Sequence, residues 1–295
     1  MNNYLIIVCG PTASGKSELA IELAQFYKTE IISADSRQFV KELSIGTAKP
    51  NKEQLQCVPH HFIDSHSIHD QYSAGQFGID ARLVLKELFK KHKAVIICGG
   101  SGLYIDAIVK SFDSLAPNNL LLREQLNEEF ANEGISILQE KAKAIDPNVE
   151  KLIDIHNSRR LIRFIEKNSQ PIAGIDQSLA NIEFKAHWIG IKFERSVLYE
   201  RINRRVDQMI KEGLVEEAKS FYHFKNNHFL KTVGYMELFE YFDGITTLDQ
   251  AVEKIKQHTR NFAKRQMTWF RKNEDIIWLE NHSLKAVEDI LENKL

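Results

Sequence analysis

Residues 4–24 read YLIIVCGPTASGKSELAIELA, and they carry the strongest structural signal in the chain. The first six residues are a short apolar run, which predicts a buried strand, while Leu19 and Leu23 recur at the spacing of one helix face. Between them, residues 10–17 read GPTASGKS and match the pattern G-x-x-x-x-G-K-[ST]. The order of strand, glycine-rich loop and helix is the structural context that this pattern requires.

Such a loop has a definite chemistry. Its backbone N–H groups curl around a phosphate, and the N-terminus of the following helix adds partial positive charge. Lys16 supplies a point charge, and the Ser17 hydroxyl is placed to hold Mg²⁺. The predicted phosphate-binding residues are Gly10, Pro11, Thr12, Ala13, Ser14, Gly15, Lys16 and Ser17. The loop predicts binding of a di- or triphosphate group, but it does not define the reaction that follows.

The rest of the chain predicts an α/β protein with a P-loop NTPase-like parallel sheet flanked by helices. Strand-like runs occur at 31–34, 94–98 and 187–193, and the first two are short and apolar, as is typical of strands covered on both faces. From about residue 117 to 185 the pattern changes to charged helical segments. The predicted organisation is a core domain over 1–114, a helical insertion over 115–185, and the continued core over 186–295. Helices are expected at 197–218, 236–242, 248–272 and 284–291.

Composition limits the class of protein. The 295 residues are 43% hydrophobic and 27% charged, as in an ordinary globular protein, and the net charge is −1. The longest early apolar run has six residues, against roughly 20 for a membrane-spanning helix, and no basic segment precedes it as in a signal peptide. Three widely spaced cysteines fit a reducing compartment. We therefore expect a cytoplasmic monomer without a membrane association.

One basic stretch departs from this balance. Residues 254–272 contain seven Lys or Arg and no Asp or Glu, interleaved with Phe262, Trp269 and Phe270. Such a pattern suits an RNA backbone and its stacked bases. It equally suits a basic helix that packs its aromatic side chains inward. Both interpretations can hold on different faces of one helix.

Two further features allow more than one interpretation. Asp35 ends the second strand-like run, at the edge where open α/β sheets place their ligands. It is either a carboxylate near Mg²⁺ or a general base. Residues 57–70 contain enough Cys, His and Asp for a zinc site, but the spacing matches no standard ligand pair, which favours a histidine-rich surface loop.

A series of blocks in this chain resembles the tRNA dimethylallyltransferase (tRNA isopentenyltransferase) family. The blocks are DSRQ at 35–38, GTAKP at 46–50, PHH at 59–61, YSA at 72–74, GGSGLY at 99–104, RRLIR at 159–163, TVGY at 232–235, TRNFAKRQ at 259–266 and WFR at 269–271. Phe39 and Ser101 stand where the family often has tyrosine and threonine. Only Asn157 and Ser158 separate His156 from the paired arginines, fewer residues than in the family.

The resemblance implies transfer of a dimethylallyl group from dimethylallyl diphosphate to the exocyclic N6 amine of an adenosine. That adenosine lies on the 3′ side of the anticodon, in tRNAs that read codons beginning with U. The loop looks like an ATP site, but it would hold the diphosphate of the donor, with Mg²⁺ as the cofactor. An aromatic amine is a poor nucleophile, so a carboxylate that accepts its proton is chemically reasonable.

The resemblance also assigns residues. Asp35 would be the general base, Ser101 would lie near the reacting centre, and Arg205 would bind the diphosphate, although a solvated helix face is the alternative for Arg205. The predicted tRNA contacts are Asp35, Ser36, Arg37, Gln38, Ser101, Arg123, Arg159, Arg160, Leu161, Ile162, Arg163, Arg260, Lys264 and Arg265. Alternative functions are an adenine-nucleotide prenyltransferase of the cytokinin type, a small-molecule P-loop kinase and an RNA-binding NTP-dependent switch.

Overall fold

The computed structural model of the chain describes residues 3–110, 119–169 and 182–292. The chain forms two compact units, one made of Met1–Val109 with Ile182–Leu295 and the other of Lys110–Asn181. The sequence predicts the insertion over 115–185, and its first boundary, between residues 114 and 115, lies outside the described residues. The larger unit contains the sheet and the glycine-rich loop.

The larger unit is built on a six-stranded sheet in which every described pairing is parallel. The strand order is β3-β2-β4-β1-β5-β6. The strands are β1 (Tyr4–Cys9), β2 (Ile31–Ser33), β3 (His60–His61), β4 (Ala94–Gly99), β5 (Lys185–Ile191) and β6 (Ile276–Leu279). Helices lie between successive strands, so the predicted P-loop NTPase-like α/β fold is confirmed.

The helices of the larger unit are α1 (Lys16–Phe26), α2 (Lys52–Cys57), α3 (Ala74–Leu88), α4 (Gly102–Val109), α9 (Arg195–Lys211), α10 (Leu214–Ser220), α11 (Tyr235–Phe242), α12 (Leu248–Phe270) and α13 (Leu284–Glu292). The single helix expected over 197–218 is interrupted, because Gly213 adopts φ 103°, a left-handed conformation that ends α9 and starts α10. The helix expected over 248–272 is present as α12.

The central strand β1 is buried on both faces. Leu5 and Ile7 pack into one core cluster with residues of α3, α4 and α11, while Ile6 and Val8 pack into a second cluster with residues of α1. All four side chains are fully buried. A strand that is buried from both sides is held firmly, so the loop that follows β1 starts from a fixed point.

The smaller unit is helical in its described residues. It contains α5 (Leu120–Glu133), α6 (Ile135–Ile145), α7 (Val149–Leu152) and α8 (Ser158–Ser169). These helices bury a core that includes Leu126, Leu138, Leu161, Ile162 and Ile165. Over the whole described part of the chain, no helix is long and apolar enough to span a membrane.

Candidate active site

The glycine-rich loop between β1 and α1 has a backbone conformation that depends on glycine. Gly10 and Gly15 have φ of 147° and 84°, both in the region that favours glycine. A Cβ at Gly10 would lie 2.8 Å from the carbonyl oxygen of Ile191. Lys16 Nζ donates to the Pro11 carbonyl oxygen at 3.2 Å, which folds the lysine back over the loop. The loop is therefore shaped before any phosphate binds.

A cavity of about 340 Å³ opens beside this loop, at the carboxyl ends of β1, β2 and β4. Lys16 and Ser17 line it, and so do Asp35 and Ser101. The lining also includes Arg205 from α9. The structure thus brings the three residues that the resemblance assigns to catalysis into one cavity with the loop.

The backbone around Asp35 holds its carboxylate in place. Asp35 Oδ1 accepts hydrogen bonds from the backbone N–H groups of Arg37 at 2.9 Å and Gln38 at 3.4 Å. Ser101 Oγ accepts from the backbone N–H of Ser36 at 3.1 Å. Within the described residues Asp35 Oδ2 has no hydrogen-bond partner. One carboxylate oxygen is therefore fixed, and the other is available to accept a proton.

Three cations surround this carboxylate. Burial lowers the pKa of Lys16, of Arg37 and of Arg205, and the charge of Asp35 acts in the opposite direction on each. Arg205 Nη1 donates to Thr12 Oγ1 at 3.3 Å, so its side chain reaches the loop and does not lie on a solvated helix face. Buried charges without matching counter-charges are costly. The cavity therefore has an excess of positive charge that an anionic ligand would neutralise.

Residues that line the cavity also restrain the side chains of Arg37 and Gln38. Arg37 Nε donates to Thr232 Oγ1 at 2.6 Å, and its guanidinium lies 5.7 Å from the centroid of the Phe229 ring. Gln38 Nε2 donates to the carbonyl oxygens of Thr47 and Ala48 at 3.3 and 3.0 Å. Both predicted tRNA-contact side chains are thus tied to the cavity wall.

The donor atoms present fit Mg²⁺ better than zinc. Ser17 and Asp35 place a hydroxyl and a carboxylate in one cavity, and Mg²⁺ prefers one or two protein oxygens together with substrate phosphates. Ser14 Oγ is buried without a partner among the described residues, which leaves hydrogen-bonding capacity in the loop. No group of three or more His, Cys, Asp or Glu in the described chain is arranged to hold a metal, the stretch 57–70 included.

Helix α12 presents one face to the cavity and packs another inward. Phe262, Arg265 and Gln266 line the cavity, and the Arg265 guanidinium lies 5.7 Å from the Phe262 ring centroid. Phe262 and Trp269 are 37% and 42% exposed, whereas Phe270 is 2% exposed. The inward-packing interpretation of the basic stretch therefore holds for Phe270, whereas Phe262 and Trp269 leave a second face of the helix open to a ligand.

The basic side chains of α12 differ in their partners. Arg260 Nη1 donates to Asn203 Oδ1 at 2.6 Å, and Lys264 Nζ lies 6.0 Å from the centroid of the Tyr199 ring. Lys254 pairs with Glu240 and Lys256 pairs with Asp207, at 2.7 and 2.8 Å. The last two lysines are thus neutralised within the protein.

The predicted tRNA contacts of the smaller unit separate into three groups. Arg159 and Arg160 are exposed on α8, although Arg160 lies 4.0 Å from Asp154. Arg123 and Arg163 lie 2.6 and 3.6 Å from the buried carboxylate of Glu166. Leu161 and Ile162 are 0% and 5% exposed in the core, so RNA cannot reach their side chains without opening that core.

Sequence reasoning did not single out two residues that line the cavity, Thr232 and Gln266, and one that holds its wall, Glu217. Thr232 and Gln266 belong to the blocks TVGY and TRNFAKRQ, so the blocks pointed to them without a role. Glu217 accepts hydrogen bonds from the backbone N–H groups of Ser44, Ile45 and Gly46 at 3.1, 2.9 and 2.9 Å. No local pattern could reveal Glu217, because its partners lie far away in the sequence.

Comparison with known proteins agrees with this geometry. The sequence model of the family described as "IPP transferase" matches residues 38–273. The tRNA dimethylallyltransferase of Christiangramia forsetii is 47% identical over 100% of this chain and 99% of its own length. That of Cytophaga hutchinsonii is 40% identical over 100% and 98%.

Solved structures agree as well. The crystal structure of the full-length tRNA isopentenylpyrophosphate transferase from Bacillus halodurans is 33% identical, with a TM-score of 0.74 over 99% of this chain and 97% of that one. A eukaryotic dimethylallyltransferase acting on tRNA, at 23% identity and a TM-score of 0.79, shares the fold.

Proposed function

This chain belongs to the IPP transferase family of tRNA dimethylallyltransferases, and we propose how it carries out the reaction. The dimethylallyl group passes from dimethylallyl diphosphate to the N6 amine of the adenosine on the 3′ side of the anticodon. The bond between the prenyl carbon and the diphosphate oxygen breaks, and a bond between that carbon and N6 forms. The observation that carries this proposal is the single cavity in which the cationic loop faces Asp35.

The cations of the cavity bind the leaving group. Negative charge develops on the diphosphate as its bond to the prenyl carbon breaks, and fixed positive groups stabilise such charge most where water is excluded. Lys16 and Arg205 reach the loop from two elements, α1 and α9, and both line the cavity. Ser17 would hold Mg²⁺, which would neutralise diphosphate charge when it is bound.

Asp35 accepts the proton of the amine. Its Oδ1 is occupied by backbone N–H groups, which leaves Oδ2 as the acceptor in the cavity that Asp35 lines. A carboxylate in this position raises the rate by roughly 10²- to 10⁴-fold. Ser101 supports this geometry through its bond to Ser36, the residue next to Asp35.

The acceptor is an RNA and not a free nucleotide. The target adenine must leave its stack to enter the cavity, which costs a few kcal/mol and is offset by contacts elsewhere on the RNA. Phe262 and Arg265 lie at the cavity and Trp269 is partly exposed on the same helix, as stacking and phosphate contacts require. A kinase or a cytokinin-type enzyme with a small acceptor would not need this face. A tRNA substrate implies a cytoplasmic protein, and a monomer suffices for this site.

One assay tests the whole proposal. Purified protein is incubated with Mg²⁺, labelled dimethylallyl diphosphate and unmodified tRNA with an adenosine 3′ to its anticodon, in parallel with adenosine monophosphate. Label in the tRNA alone supports the proposal. Label in the mononucleotide would favour the cytokinin-type reaction, and label in neither acceptor, with the protein shown to be folded, would favour a kinase or a switch.

A further inference from the structure

The Gln266 side chain joins two segments that carry the reacting groups. Its Oε1 accepts a hydrogen bond from the backbone N–H of Thr12 at 2.8 Å, and its Nε2 donates to the carbonyl oxygen of Gly100 at 3.0 Å. Gln266 is 6% exposed. Helix α12 is thereby fastened both to the glycine-rich loop and to the end of β4.

Each end of this bridge leads to a group of the proposed mechanism. On the loop side, Thr12 Oγ1 accepts from Arg205 Nη1 at 3.3 Å. On the other side, Gly100 precedes Ser101, whose Oγ accepts from the backbone N–H of Ser36 at 3.1 Å. Ser36 is the neighbour of Asp35. The chain of contacts therefore runs from the arginine at the diphosphate to the carboxylate at the amine.

The bridge requires an amide in one orientation. A backbone N–H can only donate and a carbonyl oxygen can only accept, so Oε1 must face Thr12 and Nε2 must face Gly100. A Cβ at position 100 would lie 2.3 Å from Gln266 Nε2, so a larger residue there would displace the amide from its position beside the Gly100 carbonyl oxygen. A glutamate could accept from Thr12, but its second oxygen would face the Gly100 carbonyl oxygen.

We propose that Gln266 is a positioning residue that sets the distance between the diphosphate side and the Asp35 side of the cavity. This inference rests on the proposed function. Reacting atoms must be held about 3–3.5 Å apart, and a displacement of about 1 Å can lower a rate by roughly 10²-fold. Because Phe262 and Arg265 are on the same helix, the bridge also ties the RNA-facing surface to the loop.

The test compares Gln266→Met and Gln266→Glu with the control Thr268→Val. Thr268 is exposed two residues further along α12, and its Oγ1 donates only within the helix, to the carbonyl oxygen of Lys264 at 3.0 Å. Both Gln266 variants should lower kcat by about 10- to 100-fold, with the Kd values for tRNA and donor within about three-fold of wild type. The control should keep wild-type kcat.

A second variant reaches the same bridge from the other side. Gly100→Ala places a methyl group against Nε2 while Gln266 itself is unchanged, so this variant should also lower kcat. It tests the positioning role if the Gln266 variants do not fold. The double variant Gly100→Ala, Gln266→Met should have a kcat no lower than that of either single variant, because both substitutions remove the same bridge.

The outcomes separate this inference from the function on which it rests. Full kcat in the folded Gln266 and Gly100 variants would overturn the positioning role. The positioning role would also be overturned if kcat fell together with a loss of both affinities and a lower Tm, since that pattern indicates general damage to the fold. Wild-type protein that prenylates no acceptor would instead overturn the proposed function.

Discussion

The basic side chains around the cavity and those on α8 and α12 differ in their exposure to water. Lys16, Arg37 and Arg205 are half-buried, and burial lowers the pKa of each. Arg159 and Lys264 stand in solvent. A charge kept from water has strong, short-range effects on a ligand, whereas an exposed charge is screened over about 10 Å at 0.1 M salt. The first set should control chemistry and the second should control RNA affinity.

The exposed set is itself uneven. Arg123 and Arg163 bind the buried carboxylate of Glu166, and Lys256 binds Asp207. A count of basic residues along the sequence therefore overstates the charge that RNA can use. We expect substitutions of buried and of exposed charges to have effects of different size on activity. The largest effect is expected at Asp35.

Replacing Asp35 should lower activity more than any other change. Asp35→Asn keeps an oxygen for the N–H of Arg37 but removes the proton acceptor, so kcat should fall by about 10²-fold or more. The Kd for tRNA should stay within a few-fold of wild type. Asp70→Asn is the matched control, because Asp70 also accepts from a backbone N–H, that of Ser67 at 2.7 Å, but does not line the cavity. Equal losses of binding and turnover would assign Asp35 a structural role.

Removing Lys16 should mainly harm the use of the donor. We expect Lys16→Ala to raise the KM for dimethylallyl diphosphate by roughly 10-fold or more, since the variant cannot make a charge-assisted hydrogen bond to the diphosphate. Inorganic diphosphate should raise the Tm of the wild-type protein and not that of the variant. Lys90→Ala is the control, because Lys90 is exposed and, among the described residues, pairs only with Glu87. Normal donor kinetics in Lys16→Ala would contradict the assignment of the loop.

The same lysine gives this prediction a pH dependence. Only the protonated amine attracts a diphosphate, and burial lowers the Lys16 pKa below the ordinary 10.5. The charge therefore disappears at a lower pH than in a free lysine, and donor affinity should decline as the pH rises through that lowered pKa. Measuring KM against pH checks this, since the decline should be absent in Lys16→Ala.

Neutralising the basic side chains of α12 that pair with no acid in the described part of the chain should have a moderate effect that depends on salt. Replacing Arg260, Lys264 and Arg265 should weaken tRNA binding and reduce the slope of log K against log salt by about 0.7–0.9 for each phosphate that is no longer neutralised. The double variant Lys254→Ala, Lys256→Ala removes two lysines that are already paired with acids, so its slope should match wild type. An unchanged slope in the triple variant would remove these residues from the interface.

The smallest effect on activity is expected in α8. Arg159→Ala should weaken tRNA binding about two- to three-fold without changing Tm, as for one exposed phosphate contact. Arg123→Ala should instead lower the unfolding free energy of the smaller unit by ~1–3 kcal/mol, because Glu166 loses a partner while it remains buried. Measuring tRNA binding and thermal unfolding of both variants distinguishes the two roles. If the two variants changed tRNA binding and thermal unfolding in the same way, the division between buried and exposed charges would not apply to this unit.

Much of the fold could be predicted because its signals are local. The run from β1 through the loop to α1 lies within 23 residues, and the structure confirms it. The strands β3 and β6 were not predicted. They have two and four residues, too few for a periodic pattern, and they exist because they pair with β2 and β5.

The proposed reacting groups could be named from the sequence without a structure. The loop pattern, Asp35 after a strand and the ordered blocks all depend on residues close together in the chain. The contacts of Gln266 with Thr12 and Gly100 span 254 and 166 residues, so only folding could reveal them. Folding also selected some of the basic side chains that acids neutralise, because partners such as Arg123 and Glu166 lie 43 residues apart in the sequence.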